Sequence, residues 1–96
     1  MRPYYLRPRA IQDLQEIADF TLERWGPEQE DVYLKLLEKA FDAISKNPNI
    51  GRTYEEVYPG LRRYLAGRHI ILYLVSNEAI EIVRVLHHSM DFESHL

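Results

Sequence analysis

The sequence of 96 residues predicts a single α+β domain spanning residues 1–96. In it, an antiparallel sheet packs against an N-terminal helical hairpin in the order β-α-α-β-β-β. Two observations support this fold class. Apolar residues recur every three or four positions through the first half of the chain, which indicates amphipathic helices. Two apolar, β-branched runs in the last third flank the polar break at 76–79, which indicates a hairpin of strands.

The first strand and the first helix are predicted from prolines and from helical spacing. A strand at Tyr4–Leu6 lies between Pro3 and Pro8, which places it near an edge because proline cannot donate to a ladder. From Pro8 onward one helical face recurs, formed by Ala10, Leu14, Ile17, Ala18, Thr21, Leu22 and Trp25. Gly26 ends this helix and Pro27 begins the next, as their conformational preferences favour.

The second helix precedes a connection and three strands. Its apolar stripe consists of Val32, Tyr33, Leu36, Leu37, Ala40, Phe41 and Ile44, and the helix stops near Asn47 and Pro48. The short joint at Gly26 makes the two helices an antiparallel hairpin. We expect the hairpin to pack on the sheet through Leu14, Ile17, Leu22, Leu36, Leu37 and Phe41. Residues 48–59 are predicted as a connection, and strands are predicted near 61–66, 69–76 and 80–87.

The strand around residues 70–75 is apolar on both faces. Ile70, Leu72 and Leu74 alternate with Ile71, Tyr73 and Val75. A sheet with one covered face should instead alternate apolar and polar side chains, and the helical hairpin can cover only one face. The other face therefore needs a second cover, which is the C-terminal tail, the 48–59 connection or a partner protein.

Composition and charge exclude several classes of protein. The chain has no cysteine, which excludes a disulfide scaffold, thiol catalysis and a thiolate metal site and fits a reducing cytoplasm. The N-terminus lacks the apolar region of a secretory signal, and no apolar run is long enough to span a bilayer. We therefore expect a cytoplasmic protein with no membrane contact.

The charge distribution favours one specific partner over nucleic acid in general. The net charge of −3 argues against general binding to nucleic acid, because phosphate binding depends on an excess of Lys and Arg, and we expect no direct sequence-specific binding to nucleic acid either. Residues 52–73 nevertheless hold four arginines against two glutamates. We interpret this stretch as a local basic patch on an acidic protein.

The candidate functional side chains are arginines and histidines. Arg62 and Arg63 are neighbours on a predicted strand and point to opposite faces, so each is a candidate for a phosphate or an acidic partner, or for a structural ion pair. Arg84 is flanked by apolar residues, and a half-buried arginine needs a carboxylate or several carbonyls. His87 and His88 can act as acid or base, but no ligand spacing indicates a metal, and we predict no cofactor.

Five motifs occur in order over nearly the whole chain: D-L-x-x-I at 13–17, W-G-x-x-Q-A-x-x-Y-like at 25–33, N-P-x-x-G-R at 47–52, G-L-R-R with G-x-H-x-I-x-Y at 60–73, and I-x-R-x-L-H-x-x-M-D at 82–91. Together they resemble the ParE branch of the RelE/ParE superfamily of bacterial toxins. Each motif is weak alone, but the ordered set is specific. The resemblance implies the same β-α-α-β-β-β fold.

The resemblance also implies a function. ParE-like proteins are plasmid-stabilisation toxins of type II toxin–antitoxin systems, and several inhibit DNA gyrase and so block replication. A ParD-like antitoxin, with a ribbon-helix-helix DNA-binding end, neutralises them by folding onto the toxin. The sister RelE branch instead cuts messenger RNA on the ribosome. We expect a non-enzymatic gyrase inhibitor, with a RelE-type endoribonuclease or an inactive antitoxin-binding relative as the alternatives.

The C-terminal tail distinguishes a gyrase inhibitor from a RelE-type endoribonuclease. After Arg84 it contains no Arg, Lys or Tyr, whereas RNA cleavage needs cations that stabilise charge on the phosphate. The sequence therefore predicts no catalytic residues. The expected target-binding residues are Arg62, Arg63, Arg84, His87, His88, Asp91 and Phe92. The expected antitoxin-binding residues are Ile71, Tyr73 and Val75, on the doubly apolar strand.

Overall fold

A computed structural model describes residues 2–90. The elements in chain order are β1 (Tyr4–Leu6), α1 (Pro8–Trp25), α2 (Pro27–Lys46), β2 (Arg52–Thr53), β3 (Arg62–Ala66), β4 (His69–Val75) and β5 (Ile80–His87). The predicted α+β class and helical hairpin are confirmed. Neither helix is apolar enough over a sufficient length to cross a membrane in the part of the chain that the structure describes.

The sheet has five strands in the order β1-β5-β4-β3-β2 and is mixed. β2, β3, β4 and β5 pair antiparallel with their neighbours, whereas β1 pairs parallel with β5. Two features therefore go beyond the sequence prediction: the parallel edge strand, and β2 within the predicted connection. β1 lies at an edge, as the flanking prolines indicated.

The helical hairpin is defined by the residues at its joint. Pro8 and Pro27 occupy first-turn positions, where a missing amide hydrogen costs nothing. Gly26 joins the helices with φ of +92°, a conformation that disfavours side chains. Glu28 and Glu30 lie in the first turn of α2, where the helix dipole favours acids.

The main core lies between the hairpin and the sheet. Its buried members are Ala10, Ile17, Leu37, Ala40, Phe41, Ile44, Ala66, Ile71, Tyr73, Ile80, Ile82 and Val85, with Leu14 partly buried against them. The predicted contacts of Leu14, Ile17, Leu37 and Phe41 are thus confirmed. Those of Leu22 and Leu36 are wrong, because both side chains are exposed. Leu36 and Leu37 differ by about 100° around the helix, so only one of them faces the sheet.

A second apolar cluster covers the outer face of the sheet, the face turned away from the hairpin. It contains Leu61, Ile70, Leu72, Val83 and Leu86, and it packs against Tyr54, Val57 and Leu74. Tyr54 and Val57 belong to the segment between β2 and β3. The sequence left three possible covers for this face, which were the C-terminal tail, the 48–59 connection and a partner protein. The structure shows that the 48–59 connection covers part of it.

A β-bulge in β5 explains an irregular apolar spacing. Leu72 pairs with Arg84 but Tyr73 pairs with Ile82, so Val83 is an extra residue. In a regular strand, residues three apart face opposite sides. The bulge allows Ile82 and Val85 to enter the same hairpin-side core, while Val83 joins the outer cluster.

The start of the connection is anchored by Tyr73. Its hydroxyl donates to the Pro48 carbonyl at 2.8 Å and accepts from the Gly51 amide at 2.9 Å. The Arg62 guanidinium donates to the Gly51 carbonyl at 2.6 Å. A Cβ on Gly51 would lie 2.5 Å from the Tyr73 oxygen, so only glycine fits this approach. These hydrogen bonds connect the sequence motif at 47–52 with the motif at 60–73.

Candidate functional site

A groove of about 760 Å³ runs between α1, the start of α2 and the adjoining ends of β4 and β5. Ile17, Val85 and Leu86 contribute apolar lining. Arg9 and Arg68, both exposed, line it as well. The groove therefore combines apolar side chains with basic groups.

Exposed aromatic side chains extend the apolar surface at one end of the groove. Phe20 is 59% exposed and Trp25 is 61% exposed, although both lie on α1 and line the groove. The Arg24 guanidinium lies 5.5 Å from the centroid of the Phe20 ring, within cation–π range. Exposed aromatics beside an apolar groove are typical of a surface that binds another protein.

The base of the groove holds a buried ion pair between Asp13 and Arg84. Arg84 donates Nε and Nη2 to the two carboxylate oxygens of Asp13, each at 2.8 Å. The Val85 amide also donates to Asp13, at 2.9 Å. The Asp13 hydrogen bond and burial act in opposite directions on the Arg84 guanidinium, and the hydrogen bond prevails, so the pKa of Arg84 is raised.

The Asp13 carboxylate also satisfies a backbone amide at the edge of the sheet. β1 pairs with residues 80–82 only, so β5 is an edge strand beyond Ile82. The Asp13 carboxylate accepts the amide hydrogen of Val85 on that stretch, where no neighbouring strand accepts it. The sequence left the partner of Arg84 open between a carboxylate and several carbonyls, and the structure shows the carboxylate of Asp13. Because the Arg84 guanidinium is committed to Asp13, the assignment of Arg84 to target binding is replaced by a structural role.

A second polar contact joins α2 to the turn between β3 and β4. The Arg68 amide donates to the Tyr33 hydroxyl at 3.0 Å. That hydroxyl lies 2.5 Å from Nδ1 of His69. When the Tyr33 hydroxyl, which accepts from Arg68, donates its own proton to Nδ1, His69 is neutral with its hydrogen on Nε2. A Cβ on Gly67 would lie 2.8 Å from the Tyr33 oxygen, so the turn fits tightly against the phenol.

Three histidines meet at this end of the sheet. The rings of His69 and His87 pack edge to face with centroids 5.5 Å apart, and those of His87 and His88 stack at 4.5 Å. Burial, and then the neighbouring imidazoles of His87 and His88, lower the pKa of His69 to about 4. His69 is therefore uncharged at neutral pH and is a weak base there.

The lowered pKa of His69 predicts a specific dependence of stability on pH. Between pH 6.5 and about 4 the unfolded chain takes up a proton at His69 that the folded chain does not. His69 therefore stabilises the fold above pH 6.5, and this contribution falls as the pH drops toward 4. We expect the difference between wild type and His69→Gln in unfolding free energy to shrink by about 1–3 kcal/mol across that window.

Urea denaturation at half-unit steps of pH measures this difference. The comparison cancels the contribution of the carboxylates to the unfolding free energy, because they titrate in both proteins over the same pH range. A difference in unfolding free energy between the two proteins that stays constant from pH 7 to pH 4 would contradict a partly buried His69 that is neutral in the folded chain.

The structure does not bring the sequence-predicted site residues together. Arg62 and Arg84 are held in structural contacts, while Arg63 lies on the outer face of the sheet. His87 ends β5 and lines the groove, and His88 follows it and stacks on its ring. Asp91 and Phe92 lie outside the described residues. Within residues 2–90, no group of three or more His, Asp and Glu side chains could hold a metal ion.

The predicted antitoxin-binding residues also need correction. Ile71 and Tyr73 are fully buried in the core beneath the hairpin, so neither offers a surface to a partner. Alternation along the strand placed them on one face correctly, but that face is the one the helices cover. Val75 alone is accessible. The sequence reasoning assigned Phe20 and Trp25 no role in a binding surface; Trp25, counted in the helical stripe, is exposed instead.

Comparisons with known proteins give a consistent result. The family model described as the ParE toxin of the type II toxin–antitoxin system parDE matches residues 4–92. Toxin ParE1 of Mycobacterium tuberculosis is 45% identical over 94 residues, which are 97% of this chain and 96% of that protein. Toxin ParE1 of Caulobacter vibrioides is 38% identical over 96 residues, covering 100% and 99%.

A solved structure agrees at the level of the fold. The chromosomal ParDE toxin–antitoxin system from P. aeruginosa contains a chain that superposes with a TM-score of 0.78 at 22% identity. The match covers 91% of this chain and 96% of that one. The arrangement of two helices and a mixed sheet is therefore shared with a toxin–antitoxin complex.

Proposed function

Because the chain belongs to the ParE toxin family of type II toxin–antitoxin systems, we propose that it inhibits DNA gyrase and is neutralised by a cognate ParD-like antitoxin. The toxin then acts in the cytoplasm, where gyrase works on DNA. The antitoxin carries a ribbon-helix-helix end for DNA and a segment that folds on the toxin. Neither activity requires a cofactor.

The groove between α1 and the sheet is the proposed antitoxin site. Its apolar lining and the exposed Phe20 and Trp25 suit a segment that folds on binding and brings apolar side chains. Arg9 and Arg68 suit acidic side chains on the same segment. The groove replaces the site inferred from sequence, of which only Val75 is accessible.

We prefer gyrase inhibition to RNA cleavage because of one observation, which is the ion pairing and protonation of the ionisable side chains in the groove. Arg84 is bound to Asp13, and His69 has a pKa of about 4. Phosphodiester cleavage needs a base that titrates near neutrality and cations aimed at the phosphate. Arg84, buried and ion-paired, and His69, neutral, suit neither task; Arg9, Arg68 and His87 also line the groove, and of these His87 is removed in the control below. We therefore propose that the protein is not an enzyme.

Expression without antitoxin tests this proposal. We expect growth arrest with a DNA-damage response, inhibition of supercoiling by the purified protein, and intact messenger RNA on ribosomes. The double variant His87→Ala/His88→Ala serves as a control, since it removes the imidazole of His87, which lines the groove, and that of His88, which stacks on it. Ribosome-dependent cleavage by wild type that disappears in this variant would establish the RelE-type nuclease instead.

A further inference from the structure

The turn between β3 and β4 is held to the rest of the fold from two sides. Only Gly67 and Arg68 lie between the paired residues of the two strands. The Arg68 amide donates to the hydroxyl of Tyr33 on α2 at 3.0 Å, and the Arg68 carbonyl accepts from the His88 amide at 2.9 Å. Arg68 is an exposed turn residue, yet both of its backbone polar groups are hydrogen-bonded to other elements.

The Tyr33 phenol is closely fitted to this turn. Its hydroxyl lies 2.5 Å from Nδ1 of His69, and its ring packs edge to face against the imidazole with centroids 5.5 Å apart. Gly67 has φ of +60°, and a Cβ there would lie 2.8 Å from the Tyr33 oxygen. Glycine therefore serves this position in two ways, because it adopts the backbone conformation and leaves room for the phenol to reach the Arg68 amide.

The side chain of Arg68, unlike its main chain, is available to a partner. It is exposed and lines the groove together with Arg9. Among residues 2–90, neither Arg68 nor Arg9 forms a salt bridge. Two acids, Asp13 and Glu16, are among the described residues that line the groove, and Asp13 is paired with Arg84. The groove therefore has an excess of positive charge, which favours an acidic segment.

We propose that Tyr33 is a positioning residue for antitoxin binding, because its hydroxyl fixes the main chain of Arg68 where the guanidinium binds a carboxylate of the antitoxin segment. The inference rests on the proposed function, since it assigns the chemistry of one contact in the proposed antitoxin site. A guanidinium carried by a fixed main chain loses less conformational freedom on binding than one carried by a mobile turn. Its hydrogen bonds to a carboxylate are charge-assisted and directional. Tyr33 therefore acts on antitoxin affinity through Arg68.

A double-mutant cycle in antitoxin binding tests this dependence. Tyr33→Phe removes the hydroxyl and keeps the ring, and Arg68→Ala removes the guanidinium. We expect Tyr33→Phe to raise the dissociation constant for the purified cognate antitoxin about three- to tenfold when Arg68 is present. In the Arg68→Ala background the same change should have less than about a twofold effect. Raising the ionic strength should narrow the difference in affinity between wild type and Arg68→Ala.

The chain offers a matched control for the loss of a hydroxyl. Tyr73→Phe also removes a hydroxyl that accepts a backbone amide, that of Gly51, but Tyr73 does not line the groove. It should lower the melting temperature and leave antitoxin affinity unchanged. If Tyr73→Phe does not fold by circular dichroism, Tyr5→Phe takes its place, since the Tyr5 hydroxyl donates to Glu81 at an exposed site outside the groove.

Each outcome decides between the positioning role, the groove and the proposed function. A weakening by Tyr33→Phe that is equal in both backgrounds, is absent, or is matched by the control variant overturns the positioning role alone, because wild type still binds antitoxin. Trp25→Glu places a charge on the groove, so unchanged antitoxin affinity in that variant excludes the groove as the site, and the positioning role with it. If wild type binds no antitoxin, the proposed function fails as well.

Discussion

Replacing Asp13 with alanine should lower the free energy of unfolding by about 3–5 kcal/mol and the melting temperature by roughly 12 °C or more. The side chains of Arg84 and Asp13 are only 9% and 7% exposed. Removal of the carboxylate leaves a buried guanidinium without its bidentate partner, and it leaves the Val85 amide without its acceptor. Thermal unfolding followed by circular dichroism measures the loss.

Two further variants separate the charge from the hydrogen bonds. Asp13→Asn keeps an oxygen for the Val85 amide but loses the charge, so its cost should be intermediate. The double variant Asp13→Leu/Arg84→Met replaces the pair with apolar side chains and should recover much of the stability, since no buried charge remains. If the losses in Asp13→Ala and Arg84→Ala simply add in the double alanine variant, the two residues are not energetically coupled.

Truncation of Leu37 to alanine should cost about 2–5 kcal/mol, whereas the same change at Leu36 should cost well under 2 kcal/mol. The two leucines are neighbours on α2, but Leu37 is 1% exposed and Leu36 is 39% exposed. Only Leu37→Ala leaves a cavity between the hairpin and the sheet. Urea titration of both variants with a common slope gives the comparison. Equal losses would mean that α2 is rotated relative to the structure described here.

Much of the fold follows from local patterns in the sequence. The flanking prolines, helical spacing, the joint at Gly26 and Pro27, and the apolar runs of the last third predict every element that the structure contains except β2. β2 was missed because it has two exposed residues and no apolar run. The position of β2 is defined by the pairing of Arg52 with Arg63 in β3 and by the hydrogen bonds from Tyr73 and Arg62 to Gly51. These are tertiary interactions, which local sequence patterns do not show.

The candidate site was less predictable, for a physical reason. Alternation assigns Ile71 and Tyr73 to a common face, but the helices decide whether that face is core or surface. The partner of Arg84 could be named as a carboxylate, but not as Asp13, which lies 71 residues earlier. The contact between Tyr33 and His69 spans 36 residues and likewise depends on the assembled fold.

The parallel pairing of β1 with β5 has a consequence for biosynthesis. β1 and α1 make their sheet contacts with the last strand, through register pairs such as Tyr4 with Ile80 and through the ion pair of Asp13 with Arg84. A ribosome that adds about 5–20 residues per second needs roughly 4–14 s to translate from Asp13 to Arg84. Throughout that interval the apolar face of α1 lacks its sheet partner. The chain therefore reaches its native topology only after β5 has been translated, and we expect an antitoxin that binds in the proposed groove to recognise the toxin only after that point.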